Sequence, residues 1–166
     1  MQLHEVNDYA AAPDVVFAML CDQAWREQVC RAVHALDYSV TIRQTGDQVH
    51  ITTVRTMPAE VPEAIKRMVG ERIEITQVER WGPAAADGSR SAELRMDVTG
   101  QPASMTGTMR LVPSGAGSRE SIDGDVKVTV PFFGKLVEPE ILKAVQAGIA
   151  KEGEQGRAYL APPSTG

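Results

Sequence analysis

The sequence predicts an α+β domain in which one curved antiparallel sheet of six or seven strands wraps a long C-terminal helix, with two short helices after the first strand. Three observations predict it. Between Gly134 and Leu160, apolar Leu142, Val145 and Ile149, flanked by Leu136, Val137 and Ile141, recur at spacings of three and four, while Glu138, Lys143, Lys151 and Glu154 fall largely elsewhere, as an amphipathic helix requires. At ~1.5 Å per residue such a helix runs roughly 35 to 40 Å, and a stripe of that length needs a broad surface to cover it. Upstream, Ala92, Leu94, Met96 and Val98 alternate with Glu93, Arg95, Asp97 and Thr99, and Met105, Gly107, Met109 and Leu111 alternate with Thr106, Thr108 and Arg110, which is the pattern of strands buried on one face. The chain of 166 residues suits one domain, large enough to bury ~70% of the surface its unfolded form exposes.

In chain order, Leu3 to Ala10 reads as a short strand, closed by Ala11-Ala12-Pro13-Asp14, where proline suits the first turn of a helix. Val15, Val16, Ala18, Met19 and Leu20 give that helix its apolar face, and Asp22 is placed to cap a second helix carrying Trp25, Val29, Cys30 and Val33. Asp37 to Gln44 and Gln48 to Met57 are rich in β-branched residues and separated by Thr45-Gly46-Asp47, so they form a hairpin. Pro58 and Pro62 then break the sheet. Glu63 to Val69 has helical spacing at Ile65, Met68 and Val69, with Gly70 placed to end it. Arg72 to Trp81 alternates again, with Ile73 and Ile75 on one face. After the turns at Gly100-Gln101-Pro102 and Ser114 to Ser118, a last strand carries Ile122, Gly124, Val126, Val128 and Val130. Gly107 and Gly124, inside strands, mark a bend or a close backbone approach.

Composition removes several function classes. A net charge of -5 with interleaved signs is no nucleic-acid surface, which would show a basic patch, and it disfavours anionic membranes. No apolar run approaches the ~20 residues of a membrane span, and the opening MQLHEVNDYAAAP lacks a basic region followed by an apolar one, so a cytoplasmic protein is expected. Cys21 and Cys30 match neither a CxxC pair nor a zinc-ligand set and read as ordinary buried thiols. No cofactor and no metal site is expected.

The order of strand, two helices, meander and long terminal helix resembles the START-like superfamily, also called SRPBCC or helix-grip, which includes polyketide cyclases, plant pollen allergens and lipid-transfer domains. Ala12-Pro13-Asp14-Val15-Val16-Phe17 resembles its entry into the first helix, and Val130-Pro131-Phe132-Phe133-Gly134 its turn from strand to long helix. Within the superfamily the chain is similar to a bacterial domain family of unknown function. The resemblance covers residues 1–160, leaving 161–166 as a frayed tail. Its motifs are structural, so no catalytic residue is carried over.

The resemblance implies a cavity between the concave sheet face and the long helix. Leu94, Met96, Val98, Met105, Met109, Val126 and Val128 of the strands, with Ile141, Val145 and Ile149 of the helix, are its candidate ligand contacts. Gly148, Gly153 and Gly156 each cost the helix ~1 kcal/mol relative to alanine, which points to a competing requirement such as space. Methionine fills irregular cores as readily as it lines pockets, so a ligand cavity and a packed core both stay open. Arg55 shares the parity of Val49 and Ile51 and is the polar residue singled out, because an inward guanidinium needs a carboxylate or an anionic ligand. His50 points to the opposite face. His4 and His34 stand alone without a nearby carboxylate pattern, and Trp25 and Trp81 read as core or mouth packing. No paired carboxylate or histidine dyad appears at matching parity on adjacent strands.

The function expected is therefore a binding or carrier protein enclosing a small apolar molecule, a lipid, polyketide or similar metabolite. The alternative is a cyclase- or dehydratase-like enzyme working in the same cavity, with an interaction protein of filled core as a third class. The partners expected are that apolar ligand and at most a weak homo-oligomer, with no nucleic acid and no membrane span. The insert from Ala59 to Gly70 either gates the cavity mouth or plugs the end of the core.

Overall fold

Alternating strands that bury one face must close over something apolar, and here they close over three helices. The computed structural model describes residues 1–163, so of the expected tail 161–166 the last three positions lie outside the described residues. The elements are β1 (Gln2–Tyr9), α1 (Pro13–Leu20), α2 (Gln23–Ala32), β2 (Asp37–Thr45), β3 (Gln48–Pro58), α3 (Glu63–Val69), β4 (Arg72–Trp81), β5 (Arg90–Val98), β6 (Ala103–Ser114), β7 (Gly117–Val128) and α4 (Gly134–Leu160). All seven strands join one antiparallel sheet in the order β1-β7-β6-β5-β4-β3-β2. This is the α+β helix-grip fold.

The register sets which side chains meet inside. Val49, Trp81, Ala92, Met109 and Ile122 line up across β3, β4, β5, β6 and β7 as one buried row. The next row runs Ile51, Glu79, Leu94, Gly107, Gly124 and Leu3, and so places a carboxylate among apolar neighbours. Gly107 and Gly124 face each other in that row. A Cβ on Gly107 would collide with the Asp123 carbonyl and sit 2.8 Å from the Gly124 Cα, so β6 and β7 approach at backbone distance there, as a sharply bent sheet requires. Met105 fills the space beside Gly124, its Sδ lying 3.2 Å from where a Cβ would stand.

Local chemistry sets the helix ends. Pro13 opens α1, and Asp22 caps α2 by accepting from the Trp25 backbone N at 3.1 Å. The second Asp22 oxygen accepts from the Tyr159 hydroxyl at 2.9 Å, which ties α2 to the end of α4. Val33, expected on the α2 face, is instead its C-cap. Pro58 ends β3 and still pairs with Arg72, so the insert is a detour between strands that stay paired to its edges. Within α3 the expected stripe divides: Ile65 is buried, while Met68 is 57% exposed.

Two of the three helical glycines, Gly153 and Gly156, answer a requirement of close packing. A Cβ on Gly153 would collide with the Asn7 carboxamide, and one on Gly156 would lie 2.7 Å from Tyr9 Cε1 and 3.0 Å from Met19 Cε. The C-terminal half of α4 thus rests its backbone directly on β1, with Asn7 Nδ2 donating to the Ile149 carbonyl at 3.3 Å. Around Gly148 nothing lies within 4 Å of an added Cβ.

Two substitutions separate these situations. Gly107→Ala is expected to destabilise the fold by about 2 kcal/mol or more, because backbone on β7 would have to move. Gly148→Ala is expected to stabilise it by up to ~1 kcal/mol through helix propensity alone. Urea unfolding at unchanged m measures both, and equal effects would contradict the packing described.

Candidate functional site

The interior between α2, α4 and the sheet is built around charge. Arg26 lies on the α2 face that also carries Val29 and Cys30, and it is 4% exposed. Its Nη1 and Nη2 donate to the two carboxylate oxygens of Glu79 at 2.7 and 2.9 Å, and its Nε donates to the Leu20 carbonyl at 2.6 Å. Glu79 is fully buried. It also accepts from Trp81 Nε1 and Gln77 Nε2, both at 2.8 Å, so three successive inward positions of β4, residues 77, 79 and 81, form one hydrogen-bonded unit. Arg55 extends the chain from β3, its Nη2 donating to Gln77 Oε1 at 2.8 Å. From α4, Glu152 places Oε1 3.7 Å from Arg26 Nη1.

Burial and charge act against each other across this cluster. Burial raises the Glu79 pKa, and Arg26, through its charge and hydrogen bonds, outweighs it with help from Trp81 and Gln77, so the carboxyl sits below its ordinary value. Burial likewise opposes the Arg26 charge, but Glu79 and Glu152 hold the guanidinium above its ordinary pKa. Glu152 is raised, burial prevailing over Arg26, with Glu79 adding to the shift. Glu120 on β7 is a fully buried carboxyl whose Oε2 accepts from the Tyr9 hydroxyl at 3.2 Å. Burial, then the charges of Glu152 and Glu79, push its pKa up to about 8.

A void of about 10 Å³, the size of a single water, lies at one side of the cluster, lined by Arg26, Val29, Cys30, Thr53, Arg55, Gln77 and Glu152. Two atoms of its lining residues, Arg55 Nε and Glu152 Oε1, are buried and find no hydrogen-bond partner among the described residues. On the opposite face of the sheet a shallow groove of about 510 Å³ is bordered by His50, Arg80, Glu93 and Arg110.

The residues expected to contact a ligand divide into two sets. Leu94, Met105, Met109 and Val126 are between 1% and 5% exposed and belong to the packed core. Met96, Val98, Val128, Ile141, Val145 and Ile149 are half-buried, as is Arg55. His50 is exposed on the outer face, and Trp25 and Trp81 are core residues at 1% exposure. His4 is not without a carboxylate: its Nδ1 lies 2.6 Å from Asp123 Oδ1, with both side chains largely exposed. Cys30 is buried and Cys21 half-buried, and burial raises both thiols.

Arg26, Gln77, Glu79, Glu120 and Glu152 escaped the sequence reading. Gln77 and Glu79 share the parity of Ile73, Ile75 and Trp81, and Glu120 that of Ile122 and Val126, so parity carried a signal for them. Glu79 and Glu120 stand on β4 and β7, which are separated by two strands, so a search for paired carboxylates on adjacent strands passes over them.

Two measurements test this account. Glu79→Gln leaves the Arg26 charge buried without its counter-ion and is expected to cost about 3–5 kcal/mol of stability in chemical denaturation. For Glu120, the folded pKa of about 8 stands above the ordinary 4.5, so between those values the folded chain holds a proton that the unfolded chain has released. Its contribution to stability is complete below about 4.5 and is lost as pH rises through about 8. Melting temperature should fall over that window, and Glu120→Gln should flatten the fall; equal slopes in both proteins would refute the assignment.

Comparison with known proteins places this geometry. Among curated proteins none matches the chain in sequence. Several solved structures share its fold. TTHA0849 from Thermus thermophilus is similar at 16% identity and a TM-score of 0.62, over 97% of this chain and 100% of that one. A STAR-related lipid transfer protein from Xanthomonas axonopodis is similar at 14% identity and 0.62, over 94% and 85%. The Zhui aromatase/cyclase from Streptomyces sp. R1128 is similar at 12% identity and 0.63, over 96% and 92%. The fold is therefore that of the START-like superfamily. Among the described residues no helix is long and apolar enough to cross a membrane, and no group of three His, Cys, Asp or Glu is placed to hold a metal. A sequence family described as protein of unknown function (DUF2505) matches residues 5–160, and the chain belongs to that family.

Proposed function

We propose that this protein binds and carries a small, largely apolar molecule, a lipid, polyketide or similar metabolite, held between the sheet and α4. One observation carries the reading: the void beside Arg55 and Glu152, where two buried polar atoms lack partners among the described residues. Unpaired buried polar atoms are costly, and a ligand group supplying their missing partners would recover that cost. Half-buried Met96, Ile141, Val145 and Ile149 pack against the core and supply apolar surface for the rest of the molecule. Methionine and α-helical side chains that are only half-buried repack at low cost, so a void of one water can widen around a ligand. A lipid transfer protein and an aromatase/cyclase on the same fold support this class of ligand.

The insert is proposed as the gate. Ile65 is the buried residue of α3, and a seven-residue helix is not stable alone. Local opening there disturbs few contacts. A cyclase- or dehydratase-like enzyme is the second reading, favoured by Glu120, a buried carboxyl that keeps its proton at neutral pH. The void, however, touches Glu152 and not Glu120, so the carrier reading leads.

Nile red binding tests the carrier reading. The wild type is expected to bind the dye with a rise in fluorescence, and Val145→Trp, which fills the proposed volume from a half-buried position, should weaken binding about tenfold or more with little change in melting temperature. Binding unaffected by this substitution would sink the site. In hydrogen exchange, α3 amides should exchange faster than those of β3 and β4 and slow when the dye is added; protection equal to the strands in both states would make the insert a plug.

A further inference from the structure

The chemistry of the void names the head group of what is carried, an inference that rests on the carrier reading. Two guanidinium groups reach this region, and their counter-ions are unequal. Arg26 has both oxygens of Glu79 at 2.7 and 2.9 Å. Arg55 has no such partner among the described residues: its hydrogen bond runs to the neutral amide oxygen of Gln77 at 2.8 Å, and its buried Nε–H points to no acceptor. A partly desolvated guanidinium favours a carboxylate partner with two oxygens in its plane. The carboxyl that lines the void, Glu152, lies 3.7 Å from Arg26, too long for a hydrogen bond, and its Oε1 has no partner among the described residues either.

We propose that the head group seated in this void is a carboxylate on an apolar tail, one oxygen accepting from Arg55 Nε–H and the other from a protonated Glu152 Oε1. The two atoms without partners among the described residues then become the two donors that a carboxylate needs. Charge balances in the same arrangement. Arg26 and Glu79 cancel, a Glu152 that takes up a proton on binding adds no charge, and the charge of Arg55 is met by a single negative charge on the ligand. Burial, with the charge of Glu79, raises the Glu152 pKa against the pull of Arg26 and of Arg55, and a ligand carboxylate that meets the Arg55 charge would favour the protonated form further. A dianionic phosphate would exceed the single charge that Arg55 offers and crowd Glu79, and an alcohol would leave Arg55 without a counter-ion. Thr53, which also lines the void, offers a hydroxyl beside the same oxygens. The tail would follow the half-buried Met96, Val145 and Ile149.

The experiment compares acid and alcohol of the same skeleton, one pair linear and one aromatic: dodecanoate with dodecanol, and 2-naphthoate with 2-naphthalenemethanol, each titrated calorimetrically into the whole protein. At least one acid is expected to bind about tenfold or more tightly than its alcohol, the size of one charge-assisted hydrogen bond, and the favoured pair tells a fatty acid from a polycyclic acid. Arg55→Gln should abolish that preference, so that acid and alcohol bind the variant about equally, and Arg55→Lys should keep part of it. Alcohols binding as tightly as their acids in the wild type would overturn the carboxylate assignment and leave the carrier reading standing. If neither acids nor alcohols bind, both readings fall together. The wild-type comparison needs no variant, so a misfolded Arg55→Gln cannot shelter the proposal.

Discussion

The ion pair between Arg26 and Glu79 is the constraint around which this interior is arranged. Two full charges withdrawn from water are tolerated only when nearly every donor and acceptor they present is met. Glu79 meets that demand through Arg26, Trp81 and Gln77, and Arg26 through Glu79 and the Leu20 carbonyl. The requirement fixes α2 against the middle of β4 and fixes the rotamers of the neighbours that complete the network. An apolar pair of equal volume could hold the same elements together as strongly, so stability alone does not account for the charges. What the pair adds is a polar interior in which every further charge must be justified, and against it the incomplete satisfaction of Arg55, Glu120 and Glu152 among the described residues stands out.

That interior also orders the ionisable groups by environment. Glu79 is held ionised by a guanidinium, Glu120 is held neutral beside a tyrosine, and Glu152, between the Arg26 charge and the void, is displaced toward the neutral form. Three carboxyls of identical chemistry thus differ because of what surrounds them. Tyr9, buried against Glu120, is itself driven upward chiefly by desolvation, so it stays a donor. Each of the three positions thus offers a different donor or acceptor.

Much of the architecture was legible in the sequence. The apolar stripe marked α4, the β-branched runs around Thr45-Gly46-Asp47 marked the β2–β3 hairpin, and strict alternation marked β5, β6 and β7. Parity also placed Arg55 inward. The same rule covers Glu79 and Glu120, but a search for apolar periodicity treats a charge at an inward position as an interruption, and nothing local to β4 or β7 shows that a counter-charge waits on α2. Arg26 and Glu152 were hidden for the converse reason: on an amphipathic helix a charge at the border of the apolar face reads as solvated until the opposing element is known. Gly153 and Gly156 were visible as costly residues, yet their cause, contact with Asn7 and Tyr9, is a long-range fact.

The two halves of α4 are held in different ways. Near its C-terminal end the glycine faces put helix backbone against β1, and the Tyr159 hydroxyl grips Asp22. Toward its N-terminal end Ile141 and Val145 are half-buried and Leu136 is 64% exposed, while Val137 is buried, Gly134 lies against the Val128 carbonyl and Glu138 accepts from the Val128 backbone N at 3.1 Å. The helix is thus pinned near both ends, at Gly134 against β7 and at Gly153 against β1. Between those supports run roughly 28 Å of helix at about 1.5 Å per residue, a beam held at both ends, so room beneath it has to come from its half-buried middle, Ile141 to Ile149.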